Sequence, residues 1–147
     1  MIIIAPCSRP LRDGSPNPKS YPYWKELCEL LIEKGYEVVQ VGTEEETKYV
    51  DDFRVLDFKG LEKLLKECDT YITIDSFAQH LGWYVGKQGI VIFSISDPNL
   101  FGHKENINIV NRSYLRPNQF DIYEGTPYNK EAFIQPKALL EGYLLIR

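Results

Sequence analysis

A chain of 147 residues, 44% hydrophobic and 26% charged, is long enough to bury a core and has the balance of a globular protein, not of a disordered or fibrous one. The formal net charge of −4 argues against a general affinity for nucleic-acid backbone, and no apolar run approaches the ~20 residues of a membrane span. Cys7, Cys28 and Cys68 stand far apart without a C-x-x-C pair, so they are expected to be reduced, mostly buried thiols in a cytoplasmic protein.

The first apolar run, IIIA at 2–5, is a strand stopped by Pro6; with no basic residues before it, it does not have the form of a secretory leader. Residues 8–21, SRPLRDGSPNPKSY, are a loop crowded with Pro, Gly, Ser and Asn that carries three cations, Arg9, Arg12 and Lys19. A long loop after a first strand is a common place for function, and Ser8, Arg9 and Lys19 are its candidate ligand contacts. Pro22 suits the first turn of a helix in which Trp24, Leu27, Leu30 and Leu31 recur at helical spacing until Gly35. YEVVQV at 36–41 is the next strand, and 42–46 is a turn in which Thr43 is expected to cap a short acidic helix. An edge strand is expected at 55–58 and a helix at 61–68, with Leu61, Leu64 and Leu65 toward the sheet.

TYITI at 70–74 suits a strand buried on both faces. Asp75 and Ser76 then offer helix-capping side chains to a helix at 78–85, which ends at Gly86 before a strand at 89–93. A sixth strand follows at 107–110, then a polar, Tyr-rich loop at 111–130 and a terminal helix at 136–146 with Leu139, Leu140, Tyr143 and Leu144 as its apolar face. This alternation predicts a single three-layer, Rossmann-like α/β domain over 1–147, with a mostly parallel, doubly wound sheet. Ligands of such sheets bind outside the carboxyl ends of the strands, here those closing at Ala5, Val41 and Ile74.

Asp75-Ser76-x-x-x-His80-Leu81, then Gly86-Lys87, an apolar strand, Phe93 and Asp97-Pro98, resembles the D-[ST]-G-x-x-H-L-A…G-K-P signature of heptosyltransferase-like glycosyltransferases. Lys19-Ser20-Tyr21-Pro22 resembles the K-x-[WY]-P element of that family, and the stretch from Gly42 to Glu46 its strand-end G-x-x-x-E. The family includes the ADP-heptose:lipopolysaccharide heptosyltransferases, two-domain GT-B enzymes whose C-terminal domain binds the nucleotide-sugar donor. The resemblance implies one half of a GT-B enzyme, with Lys19 at the donor phosphates, Glu46 at the ribose, and Asp75 with Ser76 at the diphosphate and sugar. Gly42, Phe77 and His80 belong to the same motifs and complete the expected site. The implied partners are a nucleotide or nucleotide-sugar, and an acceptor domain or second copy of the chain, since the family's acceptor domain supplies the base. No catalytic residue, metal or cofactor is assigned. The chain departs from the signature at Phe77 (Gly in the family), Gly82 (Ala), Gln88-Gly89 (Pro usual) and Ser94 (Gly). Phe77 adds bulk near the phosphate path and, unlike Gly, does not readily take a positive φ, so a regular helix start is expected there.

Each residue also has a plainer role open to it. Lys19 can be a solvated loop cation, Glu46 a helix-start charge, Asp75 and Ser76 a cap, and His80 an internal hydrogen-bonding group. Two other functions stay open as well: a non-catalytic module that sequesters a nucleotide, and a small nucleotide hydrolase or transferase using Asp75 or His80 in acid–base roles.

Overall fold

Six short strands, β1 (Ile2–Ala5), β2 (Val38–Val41), β3 (Phe53–Arg54), β4 (Thr70–Ile74), β5 (Ile90–Ile92) and β6 (Ile107–Ile109), pair in parallel in the order β3-β2-β1-β4-β5-β6. The computed structural model describes residues 1–122 and 125–144. The register sets Ile4 opposite Gln40 on one side and Ile72 on the other. Alternation along β1 divides the core, because successive side chains of a strand point to opposite faces. Ile2 and Ile4 pack with α1 (Trp24–Glu33) and α5 (Pro136–Leu139), while Ile3 and Ala5 pack with α2 (Phe58–Glu67) and α3 (Phe77–Tyr84). Leu27 and Leu31, one turn apart on α1, are fully buried on the first face. Each such side chain contributes roughly 1.5–3 kcal/mol on removal from water.

The order of the strands positions the site. From β1 the chain steps outward to β2 and β3, and α2 then carries it back across the sheet to β4 on the other side of β1. The segments leaving β1 and β4 therefore depart toward opposite faces and open a crevice at the carboxyl edge.

Several local expectations are corrected. The strand expected at 55–58 is a two-residue β3 at Phe53–Arg54; Val55 and Leu56 instead form an exposed connection into α2, whose first turn Asp57 caps by accepting from the Gly60 N–H at 2.7 Å. No helix forms at 43–46: the Glu46 carboxylate accepts the Thr43 N–H and closes a turn, so Thr43 caps nothing. A short helix, α4 (Pro98–Phe101), follows β5, with Asp97 accepting from the Asn99 N–H and Pro98 pre-set in its first turn. The terminal helix is α5 followed by a wider π turn over Leu140–Leu144; residues 145–146 of the expected helix lie outside the described residues. Cys28 and Cys68 are buried, whereas Cys7 is exposed because the chain leaves the sheet at Pro6.

One departure from the signature, Gly82, has a cause in the packing of β4. The ring of Tyr71 on β4 is fully buried, and a Cβ at Gly82 or Gly89 would stand 2.3 Å or 2.2 Å from it. The family's Ala at 82 would need the space this ring fills. Its hydroxyl donates to Asn106 Oδ1 at 3.1 Å, which gives the buried phenol a partner. Among the described residues no helix is long and apolar enough to cross a membrane.

Candidate functional site

A cavity of about 550 Å³ opens at the carboxyl edge, with Ala5, Val41 and Ile74, the last residues of β1, β2 and β4, in its lining. The loop after β1 brings in Ser8, Arg9 and Lys19, the turn after β2 brings in Gly42 and Glu46, and the start of α3 brings in Asp75, Ser76 and Phe77. Of the expected site residues only His80 is absent from the lining.

The loop that delivers Lys19 is tied down along its length. Asn17 accepts the Lys19 N–H at 3.0 Å and donates to the Arg9 carbonyl at 3.0 Å, and Ser8 and Ser20 touch through their hydroxyls. Tyr128 donates to the Ser20 carbonyl at 2.8 Å and Tyr21 to that of Ile134 at 2.9 Å, so the C-terminal segment braces the loop.

At the crevice, Lys19 Nζ lies 2.8 Å from Asp75 Oδ2, and the two side chains are only 14% and 9% exposed. Shielding of this degree sets the pair apart from a surface ion pair, because each charge, if left alone, would bear most of its desolvation cost. The other carboxylate oxygen accepts from Gln79 Nε2 at 2.7 Å. Gln79 is fully buried and also donates to the Phe101 carbonyl at 3.3 Å, joining α3 to α4. Sequence analysis missed Gln79. Its spacing of four from Asp75 across a helix start was the available signal.

Ser76 occupies the N-cap position of α3, but its hydroxyl does not cap the helix. It lies 3.1 Å from Thr73 Oγ1, and the Thr73 proton goes to the Ala5 carbonyl at 2.8 Å, so Ser76 donates to Thr73. The first turn of α3 thus enters the cavity without a side-chain cap, and N–H groups in that setting suit an anion. Phe77 begins the helix with no positive φ, as expected from its side chain. Its ring packs on Phe58 of α2, with centroids 5.8 Å apart.

Glu46 folds over Gly42, where a Cβ would stand 2.2 Å from its carboxylate. It also accepts from the Cys7 thiol; although the residue is exposed, its thiol lies on the cavity lining, and that partial burial first, then the Glu46 charge, pushes the thiol above its ordinary range, so it stays protonated and poorly nucleophilic at neutral pH. On the far side Leu56, Phe58 and Leu61 give the cavity an apolar wall. Outside it, His80 Nδ1 lies 2.7 Å from His103 Nε2, and the ring of Trp83 stacks on His103 at 4.4 Å. Burial and the neighbouring His80 hold His103 below the ordinary imidazole range. Among the described residues no three His, Cys, Asp or Glu side chains gather as a metal site.

The cavity therefore has a polar pole at β1 and β4, a carboxylate at β2 and an apolar pole at α2. It fits an elongated ligand with an anionic end and a flat or apolar end.

A model of glycosyltransferase family 9 (heptosyltransferase) matches residues 1–130. No curated protein matches the sequence. Among solved structures, the family 9 glycosyl transferase of Veillonella parvula DSM 2008 aligns with a TM-score of 0.69 at 18% identity, over 99% of this chain and 45% of that one. E. coli ADP-heptose lps heptosyltransferase II gives 0.67 at 19% identity, with the same coverage of 99% and 45%. E. coli heptosyltransferase WaaC, solved with ADP, gives 0.59 at 19% identity over 73% of this chain and 36% of that one. The chain spans less than half the length of these solved proteins, and at such identities the likeness establishes the fold.

Proposed function

Because the chain belongs to glycosyltransferase family 9, the heptosyltransferase family, we propose that it binds a nucleotide or nucleotide-sugar donor in this cavity and serves sugar transfer together with an acceptor domain or partner subunit. The observation that carries the proposal is the shielded Lys19–Asp75 pair beside the uncapped start of α3, with Glu46 across the cavity. A donor diphosphate takes the N–H groups of the first turn of α3 and the Lys19 ammonium. Asp75, relieved of Lys19 but still fixed by Gln79, then accepts from hydroxyls of the sugar, and Glu46 from those of the ribose. In this scheme the chain binds and orients the donor, while the base that activates the acceptor comes from the opposing wall. Three cysteines without disulfides suit a reducing compartment, so the proposal places the protein in the cytoplasm.

Calorimetry with ADP, UDP, GDP and their sugars tests binding, and the Lys19→Met variant tests its place. We expect Lys19→Met to weaken any diphosphate by at least tenfold, or ~1.4 kcal/mol. Affinity unchanged by this substitution would move the phosphates out of the crevice.

A further inference from the structure

The apolar pole of the cavity holds two aromatic side chains that the anion chemistry leaves without a role. Phe58 opens α2 and Phe77 opens α3. Both helices pack on the same face of the sheet and begin at its carboxyl edge, which brings the two rings together at a tilt of 55°. They remain 55% and 56% exposed although both line the cavity. Scattered exposed apolar residues are ordinary on a protein surface. Two touching rings on the wall of a cavity whose other wall carries a buried ion pair are instead the amphipathic lining of a ligand site.

The geometry limits what can lie there. Inserting a flat ring between two others needs faces roughly 7 Å apart, twice the ~3.5 Å carbon contact distance. Centroids 5.8 Å apart leave no such slot, so the rings form an inclined corner, and a planar group must rest against it from the cavity side, where Leu56 and Leu61 back it. Lys19, Glu46 and the two rings line one cavity, so a nucleotide with its phosphates at Lys19 can lie with its base against this corner.

We propose that Phe58 and Phe77 form a stacking corner for the base of the bound nucleotide, making the residue at 77 a base-contacting residue in place of the glycine of the resembling signature. The inference rests on the nucleotide reading above and deepens it. Stacking tolerates every base but requires one, so a ligand with phosphate and ribose and no base loses this part of its affinity.

The test is calorimetry of the full chain with ADP, UDP and ribose 5-phosphate, on wild type and on Phe58→Leu, Phe77→Leu and Phe77→Tyr. Each Leu variant, still apolar but without a ring, should weaken ADP about tenfold and leave ribose 5-phosphate unchanged. Phe77→Tyr, which keeps the ring, should retain ADP affinity and guards against a Leu variant that fails to fold. ADP binding unaffected by both Leu substitutions, or weakened in step with ribose 5-phosphate, overturns the stacking corner while leaving the nucleotide site standing. A wild type that binds none of the three compounds overturns both.

Discussion

Asp75 is held between Lys19 and Gln79 in a setting with little water, and removing one member of such an arrangement costs more than the arrangement contributes. Asp75→Asn keeps the shape and removes the charge, leaving the Lys19 ammonium shielded without its counter-ion. We expect this substitution to cost about 3 kcal/mol in urea unfolding, and Lys19→Met combined with Asp75→Asn to recover a large part of that cost. A single substitution with no measurable effect would show that the pair opens freely to water. Gln79 has a separate consequence: with both donor hydrogens directed at Asp75 and the Phe101 carbonyl, it fixes the carboxylate whether or not Lys19 is engaged elsewhere.

Between elements, contact is set by what the neighbouring element omits. Helix α3 and the start of β5 lie close to β4 because Gly82 and Gly89 leave room for the Tyr71 ring. Gly82→Ala should destabilise the fold by ~1–3 kcal/mol, the usual cost of overpacking, and Tyr71→Leu in the same chain should relieve most of that added penalty. Additive losses in the double variant would refute the shared-space explanation. Helix α3 is also joined to the segment after α4 through His80 and His103, with Glu105 near enough to favour the charged form of His103 and too weak to offset burial and His80. The native state therefore binds a proton at His103 less readily than the unfolded chain does, and stability falls as pH drops below the unfolded imidazole value of ~6.5. Thermal melts between pH 7.5 and 5 should show a steeper loss for wild type than for His103→Gln; parallel curves would remove His103 from the account.

At the scale of the whole fold, the carboxyl edge is where the proposed donor site opens. In the proposed scheme this layer supplies one wall of a transfer site, and general-base help from an opposing wall is worth ~10²–10⁴ in rate. Leu100, Phe120 and Ile122 are 54%, 78% and 74% exposed, with Phe120 against Phe101 of α4. Aromatic side chains such as Phe120 are enriched where another surface docks. Light scattering and nucleotide-sugar turnover on one sample should find little transfer from an isolated monomer. A monomer that transfers sugar at ordinary enzymatic rates would return the base to this chain, with Asp13 and His80 the first residues to substitute.

By itself, the sequence determined the parallel sheet and the placing of three motifs at its edge, because β-branched runs, helical spacing and Gly or Pro stops are local signals that long-range contacts reinforce here. It misplaced β3 because Val55 and Leu56 have strand-like composition, and only packing shows that both are exposed and that Leu56 lines the cavity. It grouped His80 with the site because Asp75 and His80 share a motif, whereas a spacing of five along a helix start turns the two side chains toward different surroundings. The bond from Gln79 to the Phe101 carbonyl, the Phe58–Phe77 contact and the role of Tyr71 were decided by tertiary structure alone. Each depends on which side chains from distant segments share a space, and composition and period carry no record of that.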